Sequence, residues 1–96
     1  MTAPRSDHPY RNLLQPGQIG ALRIRNRIVM CPMGDNLADE GGSPSAASLD
    51  YFEARARGGA GLLLVGSVAV AWPDGSYNPN QSALASDRTL PAFAEL

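Results

Sequence analysis

Asn26-Arg27-Ile28-Val29-Met30-Cys31-Pro32-Met33-Gly34 is the stretch on which the reading of this chain turns. Residues 27–30 read as a short apolar strand, and Pro32 has no backbone N–H to give to a ladder, so pairing is expected to stop there. The strand then runs out into a loop. Gly34 gives that loop backbone freedom, and Asp35 and Asn36 are residue types that bond their own backbone. In a parallel sheet, open or closed, ligands bind at the loops leaving the carboxyl ends of the strands. Residues 31–36 are therefore the first candidate site.

Past this loop, Ser43-Pro44 predicts a helix N-cap with proline at the first helical position. Residues 45–57 follow, with Leu49, Phe52 and Ala56 at spacings of three and four and the charges elsewhere, which predicts a helix with one packed face. Arg55 and Arg57 favour the dipole of its last turn, and Gly58-Gly59 can take the left-handed conformation that closes it. Gly61-Leu62-Leu63-Leu64-Val65-Gly66 is continuously apolar and predicts a strand buried on both faces, as in parallel sheets. Strand, loop, helix, glycine turn and strand make one βαβ unit, so the fold class is α/β. Residues 68–85, with Pro73-Asp74-Gly75 and Asn78-Pro79-Asn80, predict a long loop on the same rim as the first. Asp87 is expected to cap a last helix whose apolar side is Leu90, Phe93, Ala94 and Leu96.

Toward the N-terminus, Pro16-Gly17 reads as a turn. Ile19, Leu22 and Ile24 around Gly20 read as a hairpin lead-in ending at Asn26. Residues 1–12 lack periodicity and are expected to be a flexible leader. Two parallel strands cannot make a covered sheet, so residues 13–96 are expected to be an incomplete part of something larger.

The 96 residues are 44% hydrophobic and 18% charged, the composition of an ordinary globular protein. Eight Lys+Arg against nine Asp+Glu give a net charge of -1 without a basic run, which argues against a nucleic-acid partner. The longest apolar segment, residues 60–72, is far short of the roughly 20 needed to span a bilayer, so no membrane partner is expected. The N-terminus lacks the apolar core of a secretory signal, and the single cysteine cannot form an internal disulfide. Both fit a cytoplasmic protein.

Four blocks, in order and from about Leu13 onward, resemble the N-terminal portion of the old yellow enzyme family of FMN-dependent, NAD(P)H-using oxidoreductases. They are Leu14-Gln15-Pro16-Gly17 with Ile19-Gly20 and Leu22; Arg25-Asn26-Arg27-Ile28-Val29-Met30-Cys31-Pro32-Met33; Tyr51-Phe52-Glu53-Ala54-Arg55-Ala56-Arg57-Gly58-Gly59 with Gly61-Leu62; and Ser86-Asp87 with Phe93. The resemblance implies a (β/α)8 TIM barrel, of which this chain is the N-terminal part, with the hairpin closing its bottom and residues 27–30 and 61–65 as its first two strands. It also implies that Cys31, Pro32, Met33, Gly34 and Ser67 lie against the flavin ring. Asn36 stands where one branch has a tyrosine that meets substrate, and Gly34 where that branch has a cysteine or threonine. Residues 33–38 are more similar to the dienoyl-CoA reductase and amine demethylase side of the family, which often adds an iron–sulfur cluster and a second nucleotide domain. The implied function is hydride transfer from NADH or NADPH through FMN to an unsaturated or related small molecule, this chain supplying only part of the FMN wall. The groups holding the FMN phosphate, the substrate and a proton donor are expected outside this chain. The partners expected are a small-molecule substrate and either the remainder of the barrel or further copies in a homo-oligomer; the alternative is an inactive fragment or half-barrel acting as structural partner of a split barrel.

The remaining polar residues have plainer readings. Cys31, with no paired histidine or second cysteine, reads as a small buried residue that meets the flavin through its backbone. His8 is expected to be exposed. Asp35, Asp39 and Glu40 read as solvated loop acids and not as a metal site. Arg27 is expected in a structural ion pair at the bottom rim, and Tyr51 and Phe52 in packing. Trp72 and Tyr77 either line a substrate pocket or fold the second loop onto the barrel.

Overall fold

In the computed structural model, which describes residues 7–96, Val29–Met30 (β3) pairs in parallel with Leu62–Leu63 (β4), in the register Val29↔Leu62 and Met30↔Leu63. Both strands are shorter than the apolar runs that encode them. Main-chain bonds extend the pairing past the strand ends, from the Gly61 N–H to the Ile28 carbonyl (2.9 Å) and from the Leu64 N–H to the Met30 carbonyl (3.1 Å). Pro32 lies just beyond, where pairing stops. The expected burial of β4 on both faces is not met, since Leu64 and Val65 are 41% and 40% exposed. Among the described residues the run pairs with one strand and packs chiefly against the helix between the strands, while its composition suits cover on every side.

The helix between the strands, Ala46–Arg57 (α2), starts two residues later than Ser43-Pro44 predicts. Its N-cap is Ser45, whose hydroxyl accepts from the Ser48 N–H while the Ser48 hydroxyl accepts from the Ser45 N–H (both 3.2 Å). This reciprocal box satisfies two backbone donors, which Ser43 lacks the spacing to do. Ser45 also donates to the Leu37 carbonyl, tying the helix to the loop after β3. Of the predicted packed face Phe52 is buried, Leu49 half-buried and Ala56 exposed. Tyr51 meets Phe52 edge-on, with ring centroids 5.1 Å apart, and carries the Arg55 guanidinium 3.6 Å above its face. At the other end Gly58 is still helical, and Gly59 at φ +108° makes the left-handed turn.

That lower end of the strands is held by Asn26 and Arg25. Asn26 is fully buried; its side chain donates to the Gly59 carbonyl (2.6 Å) and accepts from the Ile28 N–H (3.1 Å). Any Cβ at Gly61 would fall on the carbonyl and Oδ1 of Asn26, so glycine is required there. Arg25 donates to the carbonyls of Ala56 (2.8 Å) and Ala60 (3.3 Å), where a cation suits the helix dipole.

Before β3, Gly17–Ile19 (β1) and Leu22–Ile24 (β2) form the expected antiparallel hairpin, Gly17↔Ile24 to Ile19↔Leu22, turned by Gly20 at φ +56°. Gly17 therefore begins a strand, and the reversal sits at Gly20-Ala21. Residues 1–6 of the expected leader lie outside the described residues. His8 is exposed, as expected, and Arg11–Leu14 (α1) forms one helical turn. Arg27 donates to the Pro16 carbonyl (3.3 Å) rather than entering the predicted ion pair, because the nearest acceptor is the chain entering the hairpin.

After β4 the chain is irregular to Ala85, as predicted. It ends in a 3-10 turn, Asp87–Thr89, and a short helix, Leu90–Glu95 (α3). The cap is Ser86, whose hydroxyl accepts from the Arg88 N–H (3.4 Å), with Asp87 one place inside. Among the described residues the buried apolar ones are Ile24, Ala38, Phe52, Ala69 and Ala83, of which only Ile24 and Phe52 are bulky. An open apolar groove of about 440 Å³, walled by Phe52, Leu63, Val65, Leu84 and Phe93, runs along the outside of β4.

Candidate functional site

β3 and β4 are parallel and adjacent, so their carboxyl ends deliver two loops to one rim. The loops touch there: a Cβ on Gly66 would lie 3.0 Å from Cβ of Pro32. Cys31, Pro32, Met33 and Gly34 are all exposed along this rim, Met33 at 53%. Cys31 is thus not the buried residue predicted. The strand has ended, and among the described residues the side chain stays exposed.

Gly34 has a different reason for being glycine than the one predicted. It does not adopt positive φ; within residues 31–36 the left-handed residue is Asn36, at φ +57°. Gly34 instead leaves space, because a Cβ there would fall on the Tyr77 hydroxyl, with Ser67 Oγ 3.7 Å away. The structure thus gathers Gly34, Ser67 and Tyr77 at one point. Ser67 Oγ and Tyr77 Oη are 2.6 Å apart. Buried Gln81 serves both: its Oε1 accepts from the Tyr77 N–H (2.9 Å) and its Nε2 donates to Ser67 Oγ (3.2 Å). Neither Gln81 nor its link to Ser67 is signalled by sequence, since the contact spans fourteen residues of irregular chain. An aromatic in an irregular loop is the one visible clue to Tyr77.

The two loops are also fastened to each other. Asp35 bonds its own backbone as predicted, accepting from the Leu37 N–H (3.0 Å), but Asn36 accepts from the Asn80 N–H (3.0 Å), 44 residues away. Asn80 returns two bonds: its carbonyl accepts from the Ala38 N–H (3.0 Å) and its Nδ2 donates to the Ala38 carbonyl (2.9 Å). Trp72 is half-buried and 64%-exposed Tyr77 reaches the rim, so of the two readings for these aromatics only Tyr77 joins the site. Among the described residues no group of three or more His, Cys, Asp or Glu side chains could hold a metal ion, and no helix is long and apolar enough to cross a membrane.

Exposed proline and methionine form an apolar shelf, and the two hydroxyls, for which Gly34 makes room, edge it. That donor set fits a flat heteroaromatic ring with apolar faces and a polar rim. It does not fit a phosphate, since Arg25 and Arg27 are engaged at the opposite end of the strands.

A parallel βαβ unit whose two loops meet at its carboxyl rim places the chain in the α/β class, whose ligand sites lie at that end of the strands. The profile of the NADH:flavin oxidoreductase / NADH oxidase family matches residues 12–96, and the chain belongs to that family as an N-terminal portion. It is 48% identical over 87 residues to a NADH oxidase of Thermoanaerobacter brockii, covering 91% of this chain and 13% of that protein. It is 32% identical over 87 residues to an N,N-dimethylglycine/sarcosine dehydrogenase of Chromohalobacter salexigens, 88% of this chain and 12% of the other. The old yellow enzyme of Trypanosoma cruzi superposes on 90% of this chain with a TM-score of 0.78 and 31% identity, using 22% of its own length. The chain therefore spans between about an eighth and a quarter of these relatives.

Proposed function

We propose that the protein containing this chain is an FMN-dependent oxidoreductase built on a complete (β/α)8 barrel, and that this chain supplies one part of its FMN wall. The observation that carries the proposal is the meeting of Pro32, Gly34 and Ser67 at one exposed rim, in a chain similar over nine-tenths of its length to an old yellow enzyme. Bound there, FMN would supply hydride transfer between NADH or NADPH and an unsaturated small molecule, or from an amine. Pro32 and Met33 give the ring an apolar seat that excludes water from one face. Gly34 makes room for the Tyr77 hydroxyl, and the N–H groups of residues 33 and 34 and the Ser67 hydroxyl offer donors to the ring's edge. Asn36 stands at the outer lip, where a substrate would pass. Exposed Cys31 contributes backbone and no nucleophilic step.

Similarity to the dehydrogenase of a methylated amine, and a NADH oxidase of which this chain is only 13%, support a long member of the family with further domains. An iron–sulfur cluster there is part of this reading. So are a cytoplasmic setting and cover of the open groove beside β4 by the remainder of the barrel. Purifying the full reading frame tests the proposal. FMN retained at one per chain, and bleached by NADH or NADPH under argon, is the expected result; a colourless protein that takes up no added FMN overturns it.

A further inference from the structure

The hydrogen bonds around Ser67 leave one proton over. The Tyr77 backbone N–H can only donate, so the Gln81 group 2.9 Å from it must be the carbonyl oxygen, and the Gln81 amide nitrogen must face Ser67. Ser67 Oγ is thereby an acceptor toward Gln81. The 2.6 Å contact between Ser67 Oγ and Tyr77 Oη consumes one of the two hydroxyl protons, whichever residue donates. Among the described residues no acceptor takes the other. Tyr77 is 64% exposed and its hydroxyl occupies the space that a side chain at Gly34 would fill, so this proton is held at the edge of the shelf. Gln81, 5% exposed and bonded at both ends, fixes the orientation.

We infer that Ser67 and Tyr77 act as one hydroxyl pair, set by Gln81, that presents a single hydrogen-bond donor to an acceptor atom on the edge of the bound flavin ring. This rests on the FMN reading given above. A donor aimed at a ring acceptor stabilises the electron-rich reduced form, so the pair raises both FMN affinity and the ease of its reduction. Either hydroxyl alone still carries a proton, and only loss of both removes the donor.

The test uses the full FMN-loaded protein and three readouts: the FMN dissociation constant, the midpoint potential and the visible absorption bands of the bound flavin. Tyr77→Phe and Ser67→Ala are each expected to weaken FMN binding by less than about threefold, and the double variant by about tenfold or more, with a more negative potential and shifted bands. Ser67→Thr combined with Tyr77→Phe restores one hydroxyl and is expected to return all three readouts toward wild type, which separates the effect from repacking. Wild-type binding, potential and spectrum in the double variant, with FMN bound, overturn the inference and leave the FMN reading standing. A wild-type protein that takes up no FMN overturns both.

Discussion

The hairpin and the long loop after β4 invert the usual relation between regularity and burial. β1 and β2 make a regular three-row ladder, yet Ile19 and Leu22 are 54% and 53% exposed and only Ile24 is buried. Residues 66–89 have almost no regular structure, yet Ala69, Gln81, Ala83 and Thr89 are all buried there. Local turn chemistry builds the first, and nothing else needs to pack. The second is held by bonds between distant residues: the Ala83 N–H to the Gly42 carbonyl (2.8 Å), Thr89 Oγ1 to the Ala83 carbonyl (2.7 Å), and Gln81 to Ser67 and Tyr77. Buried polar groups are costly unless every partner is present, so the loop's shape is specified more strictly than the hairpin's.

Substitutions can break that contrast. Gly42→Val should have the largest effect: Gly42 sits at φ +94° and a Cβ would lie 2.6 Å from Cβ of Ala83. Strain and overlap together predict a loss of about 3 kcal/mol in urea denaturation. Thr89→Val keeps the shape but leaves the Ala83 carbonyl without its side-chain donor, for a loss of about 2 kcal/mol and faster amide exchange at residues 81–84. Ser45→Ala, which removes the α2 cap and its tie to Leu37, should cost about 1 kcal/mol in the same denaturation assay. Gly20→Ala sharpens the contrast from the other side. Gly20 also has positive φ, but nothing lies within 4 Å of the added methyl, and reduced freedom of the unfolded chain offsets part of the strain, so about 0.5 kcal/mol is expected. A Gly20 variant as damaging as the Gly42 one would refute the contrast.

The same division governs what could be read from the residues in order. The hairpin, α2, the parallel pair and the irregular second loop follow from apolar spacing and turn residues within short windows. Ser45 was open to the same treatment, since a serine three residues on marks the capping box, but Ser43 next to proline gave the more familiar signal. Gly34 and Asn36 were legible as loop residues and not in their roles. The reasons for both, Tyr77 and Asn80, lie more than forty residues downstream. Buried Asn26 was hidden for a related reason: an amide gives no hint that it will replace apolar contacts by bonding a glycine turn 33 residues away.

The paired asparagines have a mechanical consequence. Asn80 grips the first loop with its N–H, its carbonyl and its side chain, at Asn36 and Ala38, while Ala38 itself is buried. The two loops are thereby riveted into a single jaw. Pro32 and Met33 of one loop and Tyr77 of the other are thus carried on a single cross-bonded unit.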